Sequence, residues 1–409
     1  MKSNTNGCDG STLQSRGQLA LAEPNGSVGL QVASSRGHKL SAAEFFAGIG
    51  LVRAGLERVG VDVVWANDIE PVKHAVYASN FDSAHYVLGD IRGVQGCSVP
   101  SVDVATASFP CVDLSLAGNR KGLEGEQSGL FFEFSRVLRE MGERIPPVVM
   151  IENVSSFVSS RGGEDLRVSI AELNKLGYVC DLLTVDASWF VAQSRPRLFI
   201  IGTLEPLGGA ATGVAGPLRS ESVAAFMEAN QDLMLQELLL PIPLQDDRQL
   251  CDVVERLDPE DERWWDGERF GKFMRSLSPL NQDRLALLKQ DRATQWRTAY
   301  RRTRNGVPVW EIRSDDISGC LRTARGGSSR QAVVEVSPDG VRARWMTPRE
   351  YARLQGVPDE FDYSAVTDAQ ALFGFGDAVC VPVIEWLAEH ALVPAVMAVG
   401  NQVPAKAAV

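Results

Sequence analysis

The chain has 409 residues, 44% of them hydrophobic and 23% charged, with a formal net charge of −11; this suits a folded chain with one large domain and room for a second. No apolar run reads as long enough to cross a bilayer, and no basic leader precedes an apolar stretch, which argues against a membrane or exported protein. Seven cysteines and four histidines are scattered without Cys-x-x-Cys spacing, which argues against a disulfide framework and a metal site and for a reducing cytoplasm.

Residues 1–37, rich in Ser, Gly and Asn and without apolar periodicity, predict a disordered tail. A short strand is then predicted to end in Glu44-Phe-Phe-Ala-Gly-Ile-Gly50, and a helix follows with Leu51, Val52, Ala54, Leu56 and Val59 on its apolar side. Strand, Gly-x-Gly turn and helix bring backbone close to a nucleotide-like ligand. Arg53 stands where a dinucleotide fingerprint has its third glycine, which disfavours a nicotinamide cofactor and leaves room for another adenosyl ligand. A second strand, residues 61–67, ends at Asp68, placed either to accept from ribose hydroxyls or to cap the helix that starts near Pro71. The third, residues 86–91, offers Asp90 to an exocyclic amine and Ile91 to the face of a flat base.

A fourth strand, residues 102–107, runs straight into Pro110-Cys111. Pro110 fixes the backbone where the turn begins, so Cys111 is held at a strand end as a candidate nucleophile; a buried structural cysteine is the competing reading. The small, polar stretch from Ser115 to Leu123 suits a lid. A helix is predicted over residues 129–143 and a fifth strand over 147–151, ending in Glu152-Asn-Val154. Burial of Glu152 beside a ligand would raise its pKa and let it donate a proton. A sixth strand, residues 179–185, precedes Gln193-Ser-Arg195-Pro-Arg197, whose two arginines are expected on opposite faces of an extended segment, and a seventh covers 198–202.

After a Gly/Ala-rich connector at 207–216, helical patterns over 252–288 carry Trp264 and Trp265, read as core. From Lys289 to Gln331 there are ten Lys/Arg against four Asp/Glu, a local +6 on a body that carries −17. One basic segment on an acidic body fits a chain that meets a polyanion on one face; an arginine-rich solvated surface is the alternative.

Phe46-Ala-Gly-Ile-Gly50, Pro110-Cys111, Glu152-Asn-Val154, Gln193-x-Arg195-x-Arg197, Thr347-Pro-Arg-Glu-Tyr-Ala-Arg-Leu-Gln-Gly356 and Gly376-Asp-Ala-Val379 follow one another in this chain. In order and spacing they resemble the motifs of the cytosine-C5 DNA methyltransferases, over about residues 40–203 and 320–392. The resemblance implies an α/β, S-adenosylmethionine-dependent (Rossmann-like) domain at 38–203 and a smaller target-recognition domain inserted at 204–345. A return segment at 346–392 and a tail at 393–409 complete the expected layout. It also implies Cys111 as the thiolate that adds to C6 of a flipped-out cytosine, Glu152 as the acid at N3 and Arg197 as the cation at O2, with the base that takes the C5 proton left unnamed. S-adenosylmethionine contacts are expected from Phe46, Gly48, Gly50, Asp68, Ile69, Asp90, Ile91, Pro110 and Asp377. DNA contacts are expected from Ser115, Arg195, Arg322, Arg325, Ser328 and Arg330, with a structural role open for Arg195. Three departures stand out: Val112 for a glutamine, Leu51 for a glycine and Asp377 for an asparagine. The expected partners are double-stranded DNA and a separately acting restriction endonuclease, for a monomeric enzyme. The same chemistry on RNA, a silent DNA-binding regulator and a nicotinamide oxidoreductase are the rival readings.

Overall fold

The computed structural model describes residues 39–110, 129–304, 306–323 and 330–402. The N-terminal tail, Cys111, Val112, Ser115, Arg325 and Ser328 lie outside the described residues.

Seven runs, most of them apolar, form the main sheet: β1 (Leu40–Phe45), β2 (Val61–Asp68), β3 (Tyr86–Leu88), β4 (Val104–Ala107), β5 (Val148–Val154), β6 (Val179–Asp186) and β7 (Pro196–Thr203). β4 and most of β5 are buried on both faces, as strands covered by two helix layers must be. The strand order is β3-β2-β1-β4-β5-β7-β6, with β7 antiparallel to both neighbours and the pairs from β3 to β5 parallel. This is the doubly wound α/β arrangement of a Rossmann-like domain. Parallel strands all end on one edge, and the reversed β7 begins there. Along that edge the order sets Asp90, Asp68, Gly48, Pro110, Glu152 and Arg197 on successive strand ends. The chain order reverses between β1 and β4, the switch point where open α/β sheets bind ligands.

Two apolar cores flank the sheet. One holds α1 (Leu51–Arg58) and α2 (Pro71–Asn80) through Leu51, Leu56, Val76 and Tyr77. The other holds α3 (Leu130–Met141), α4 (Glu164–Lys175) and α5 (Glu221–Ala229) through Phe134, Leu138, Ile170 and Phe226. The second unit was expected from residue 204, but residues 204–253 pack on the main sheet instead. β8 (Gly209–Ala210) pairs with β9 (Gln236–Glu237), Arg219 pairs with the buried Asp181 of β6, and α6 (Leu250–Val253) buries Leu250 in the first core. Its buried residues, among them Leu218, Val223, Phe226 and Leu238, join the two cores of the main sheet and form none of their own.

A separate core begins with Trp265. α7 (Gly267–Ser276) and α8 (Pro279–Leu288) cover one face of an antiparallel sheet, β10 (Gln295–Arg304), β11 (Val307–Ile312), β12 (Ala332–Ser337) and β13 (Gly340–Trp345), in the order β11-β10-β12-β13. Alternation puts Ala299, Ile312, Ala332, Val334 and Ala343 against Phe273, Leu277 and Leu285. Trp265 closes that core among Phe273, Trp310 and Trp345, with ring centroids 5.2–5.4 Å apart.

The chain then returns to the first core as α9 (Pro348–Leu354), α10 (Asp368–Asp377), α11 (Val381–Leu387) and α12 (Val393–Gln402). α12 corrects the tail expected from 393: Val393, Ala395, Val396 and Val399 fall at helical spacing and are buried. The stretch Asp368–Val399 also reaches the length and apolar character of a membrane span, contrary to expectation. Its most apolar window is 72% buried inside the protein, so its apolar faces serve the core.

Candidate active site

The glycine turn is built from strained backbone. Phe46, Gly48 and Gly50 all have positive φ, at 59°, 57° and 86°. A phenylalanine in that region costs about 1–3 kcal/mol and persists only where its surroundings fix it. Asp68 does the fixing: one carboxylate oxygen accepts from the Gly48 N–H and the other from the Glu70 N–H, each at 2.9 Å. Among the described residues, a Cβ on Gly48 would meet nothing closer than Lys73 at 3.8 Å, so the space above this turn is open. A Cβ on Gly50 would strike Phe81 at 2.6 Å, so that glycine serves packing. Arg53 is structural, because its guanidinium donates to the Tyr77 hydroxyl and the Asp82 carbonyl.

Next along the edge, Asn67 donates to the carbonyls of Val87 and Gly89 and so locks the end of β3 that carries Asp90. Asp90 accepts from the Arg92 backbone and pairs with its guanidinium; that backbone hydrogen bond holds its pKa below the usual range. Asp90 is therefore an ionised acceptor. Ile91, expected to stack on a base, is 3% exposed and packs in the second core. The side chain open to a flat ring is Ile69, 57% exposed beside Asp68. Asp377 pairs with Lys73, an ion pair the family's usual asparagine does not form. Burial works against the Lys73 charge, but Asp377 and Asp68 outweigh it and raise the pKa. An open glycine turn, two acids and an exposed apolar residue on adjacent strand ends fit an adenosyl ligand with ribose hydroxyls and an exocyclic amine.

On the other side of the switch point, the Asn153 amide donates to the Phe109 carbonyl at 3.3 Å and fixes the backbone just before Pro110. Glu152 is 9% exposed. Burial raises its pKa, against the pull of Arg197 and Arg195. Arg197 meets it with Nε 3.0 Å from a carboxylate oxygen.

Two expectations about the arginines need correction. Arg195 and Arg197 do not point to opposite faces: residues two apart on extended chain share a face, and both line one small cavity with Glu152, Phe199 and Cys380. Nor is Arg195 placed to contact DNA. It is 3% exposed and donates to the carbonyls of Leu321, Gly376 and Ala378. It ties the incoming strand to the return segment. Arg322 is exposed, while Arg330 lies half-buried over Trp345 and donates to the Met346 carbonyl. Part of the basic segment is also spent internally: Arg302 and Arg304 face Glu311, and Arg313 faces Asp315.

Three residues at the site were not foreseen. Lys73 holds Asp377, and Cys320 touches both site arginines. Glu44, 1% exposed on β1, has no hydrogen-bond partner on either oxygen among the described residues; burial pushes its pKa up to about 8 against the pull of Arg53. A charged residue inside an otherwise apolar strand was the available signal for Glu44. Lys73 and Cys320 carry none, because their partners lie hundreds of residues away in the chain or on another element.

The profile of the C-5 cytosine-specific DNA methylase family matches residues 40–392. The chain belongs to this family. Among its relatives, the type II methyltransferase M.Bsp6I of Bacillus sp. (strain RFL6) is 28% identical over 355 residues, covering 86% of this chain and 98% of that protein. M.NlaX of Neisseria lactamica, also a type II methyltransferase, is 29% identical over 351 residues, covering 85% and 94%. Among solved structures, the S. pombe Dnmt2 methyltransferase superposes with a TM-score of 0.55 at 17% identity, covering 89% of this chain and all of that one, a likeness of fold. This DNA cytosine-5-methyltransferase thus places its glycine turn, Pro110, Glu152 and Arg197 on neighbouring strand ends of one sheet, and its two C-terminal motifs on helices of the return segment.

Proposed function

We propose that this methyltransferase modifies one cytosine within a short sequence of duplex DNA, with S-adenosylmethionine as the methyl donor. The observation that carries the reading is the Glu152–Arg197 pair, on strand ends next to the one that runs to Pro110. C5 of cytosine is a weak nucleophile. A Cys111 thiolate adding at C6 pushes the C5–C6 π electrons into the ring and makes C5 an enamine carbon. Negative charge then builds at N3 and O2. Glu152, whose neutral form burial favours, gives a proton to N3, and Arg197 holds O2. S-adenosylmethionine, when bound, supplies an electrophilic methyl group for C5. Phe46, Gly48, Asp68, Ile69, Asp90 and Asp377 would hold it, from the opposite half of the strand-end row. Loss of the C5 proton and departure of the sulfur restore the aromatic ring. The cytosine must leave the duplex first, because C6 cannot be reached within the stack.

The four-stranded sheet with its exposed arginines is the recognition unit in this reading. The relatives' type II names support a separately acting restriction endonuclease as partner. The test is expression of the wild type and Cys111→Ala in a host without cytosine methylation, followed by base-resolution mapping of 5-methylcytosine. Methylation at one short motif, lost in the variant, is the expected result. Folded wild-type protein that leaves the DNA unmodified would overturn the proposal.

A further inference from the structure

Arg197 has three guanidinium nitrogens, and each meets a different group. Nε faces Glu152 at 3.0 Å, Nη1 donates to the Pro196 carbonyl at 2.9 Å and Nη2 donates to the Cys320 sulfur at 3.6 Å. The first two partners belong to the main sheet. Cys320 comes from the segment that links β11 to β12 in the second sheet. That segment is fastened into the site: Gln193 accepts from the Leu321 N–H, Arg195 donates to the Leu321 carbonyl, and a Cβ on Gly376 would strike the Arg322 carbonyl at 2.5 Å. The sulfur also accepts from Arg195 Nη1 at 3.4 Å while its own proton points to the Leu321 carbonyl at 3.3 Å. It therefore sits between two like charges that would otherwise push apart. Arg195 is almost fully buried and its Nε has no hydrogen-bond partner among the described residues, so any acceptor beside its guanidinium carries weight. Burial raises the pKa of the Cys320 thiol, but the neighbouring guanidinium groups of Arg195, Arg197 and Arg322 outweigh it and lower the pKa.

We infer that Cys320 is a positioning residue that ties the catalytic arginine, Arg197, to the recognition sheet. Its sulfur holds the guanidinium in the pose presented to the base, so seating of the second sheet on DNA and alignment of Arg197 are one event. The inference rests on the assignment of Arg197 to the cytosine. A misplacement of about 1 Å at such a group can cost about 100-fold in rate.

The test is single-turnover methylation of duplex DNA by the intact enzyme and by Cys320→Ala and Cys320→Ser, with S-adenosylmethionine affinity measured alongside. Cys320→Ala should lower the methyl-transfer rate by about 10–100-fold and leave cofactor affinity within about twofold. Cys320→Ser, which keeps an acceptor, should recover most of the rate. An alanine variant at the wild-type rate would overturn the inference. So would a serine variant as slow as alanine with both melting early, since that marks a packing role. An inactive wild type would instead overturn the functional proposal itself.

Discussion

Glu152 and Glu44 are both buried acids at the carboxyl edge of one sheet, yet their surroundings give them different roles. Glu152 faces Arg197, so burial and the guanidinium pull its pKa in opposite directions and leave it poised to donate. Glu152→Gln keeps the shape and removes the proton. Its methyl-transfer rate should fall by about 10²–10⁴-fold while S-adenosylmethionine binding changes little, as single-turnover kinetics and a binding titration would show. Glu44 has no hydrogen-bonded partner among the described residues and stays protonated in the folded chain up to about pH 8, whereas the unfolded chain loses that proton above about 4.5. Between those values the folded state binds more protons, so stability falls as pH rises, by up to about 1.4 kcal/mol per unit. Glu44→Gln should flatten this slope in melting curves taken across that window. Equal slopes for variant and wild type would show that Glu44 ionises freely.

At the scale of elements, α9 shows how the return segment is anchored. Thr347 and Glu350 form a capping box at its start, each side chain accepting from the other's backbone N–H. The same Glu350 carboxylate meets the guanidinium of Arg344 on β13, and neither side chain reaches solvent. It also accepts from the Glu255 N–H. Thr347→Ala removes one cap contact and should cost about 1 kcal/mol. Glu350→Ala strands a buried guanidinium and should cost about 3–5 kcal/mol. Denaturant unfolding of the two variants would check the ranking, and equal losses would mean that solvent reaches Arg344 when its partner is gone. The pair joins the second sheet to the main core, so its loss should loosen the seat of that sheet as well.

For the whole molecule, charge is divided between an acidic body and a basic segment, but that segment is partly neutralised from within. Glu311 faces Arg302 and Arg304, whose side chains are otherwise more than half exposed. Glu311→Gln should free both for phosphate contact. Affinity for duplex DNA of arbitrary sequence should rise several-fold at low salt and fall more steeply as salt is added. Titration of a labelled duplex at two salt concentrations would measure both. Unchanged affinity would place these arginines away from the DNA path.

The amino-acid sequence alone determined the seven strands of the main sheet, their order in the chain and the residues at their ends, but not the four strands of the second sheet. Apolar runs of strand length, a Gly-x-Gly turn, Pro110-Cys111 and Glu152-Asn-Val154 are local patterns, and local patterns survive without knowledge of neighbours. Only the tertiary structure decided which strand ends stand side by side. Inserting β7 antiparallel between β5 and β6 is what carries Arg197 to Glu152, and it puts Arg195 on the same face, buried against carbonyls from the return segment. The boundary of the second unit was likewise invisible, because whether residues 204–253 have a core of their own depends on Asp181 and Phe226 meeting partners far off in the chain. Cys320 and Lys73 looked ordinary for the same reason. A side chain's role at such a site is set by the charges packed around it, and those come from segments that only folding brings together.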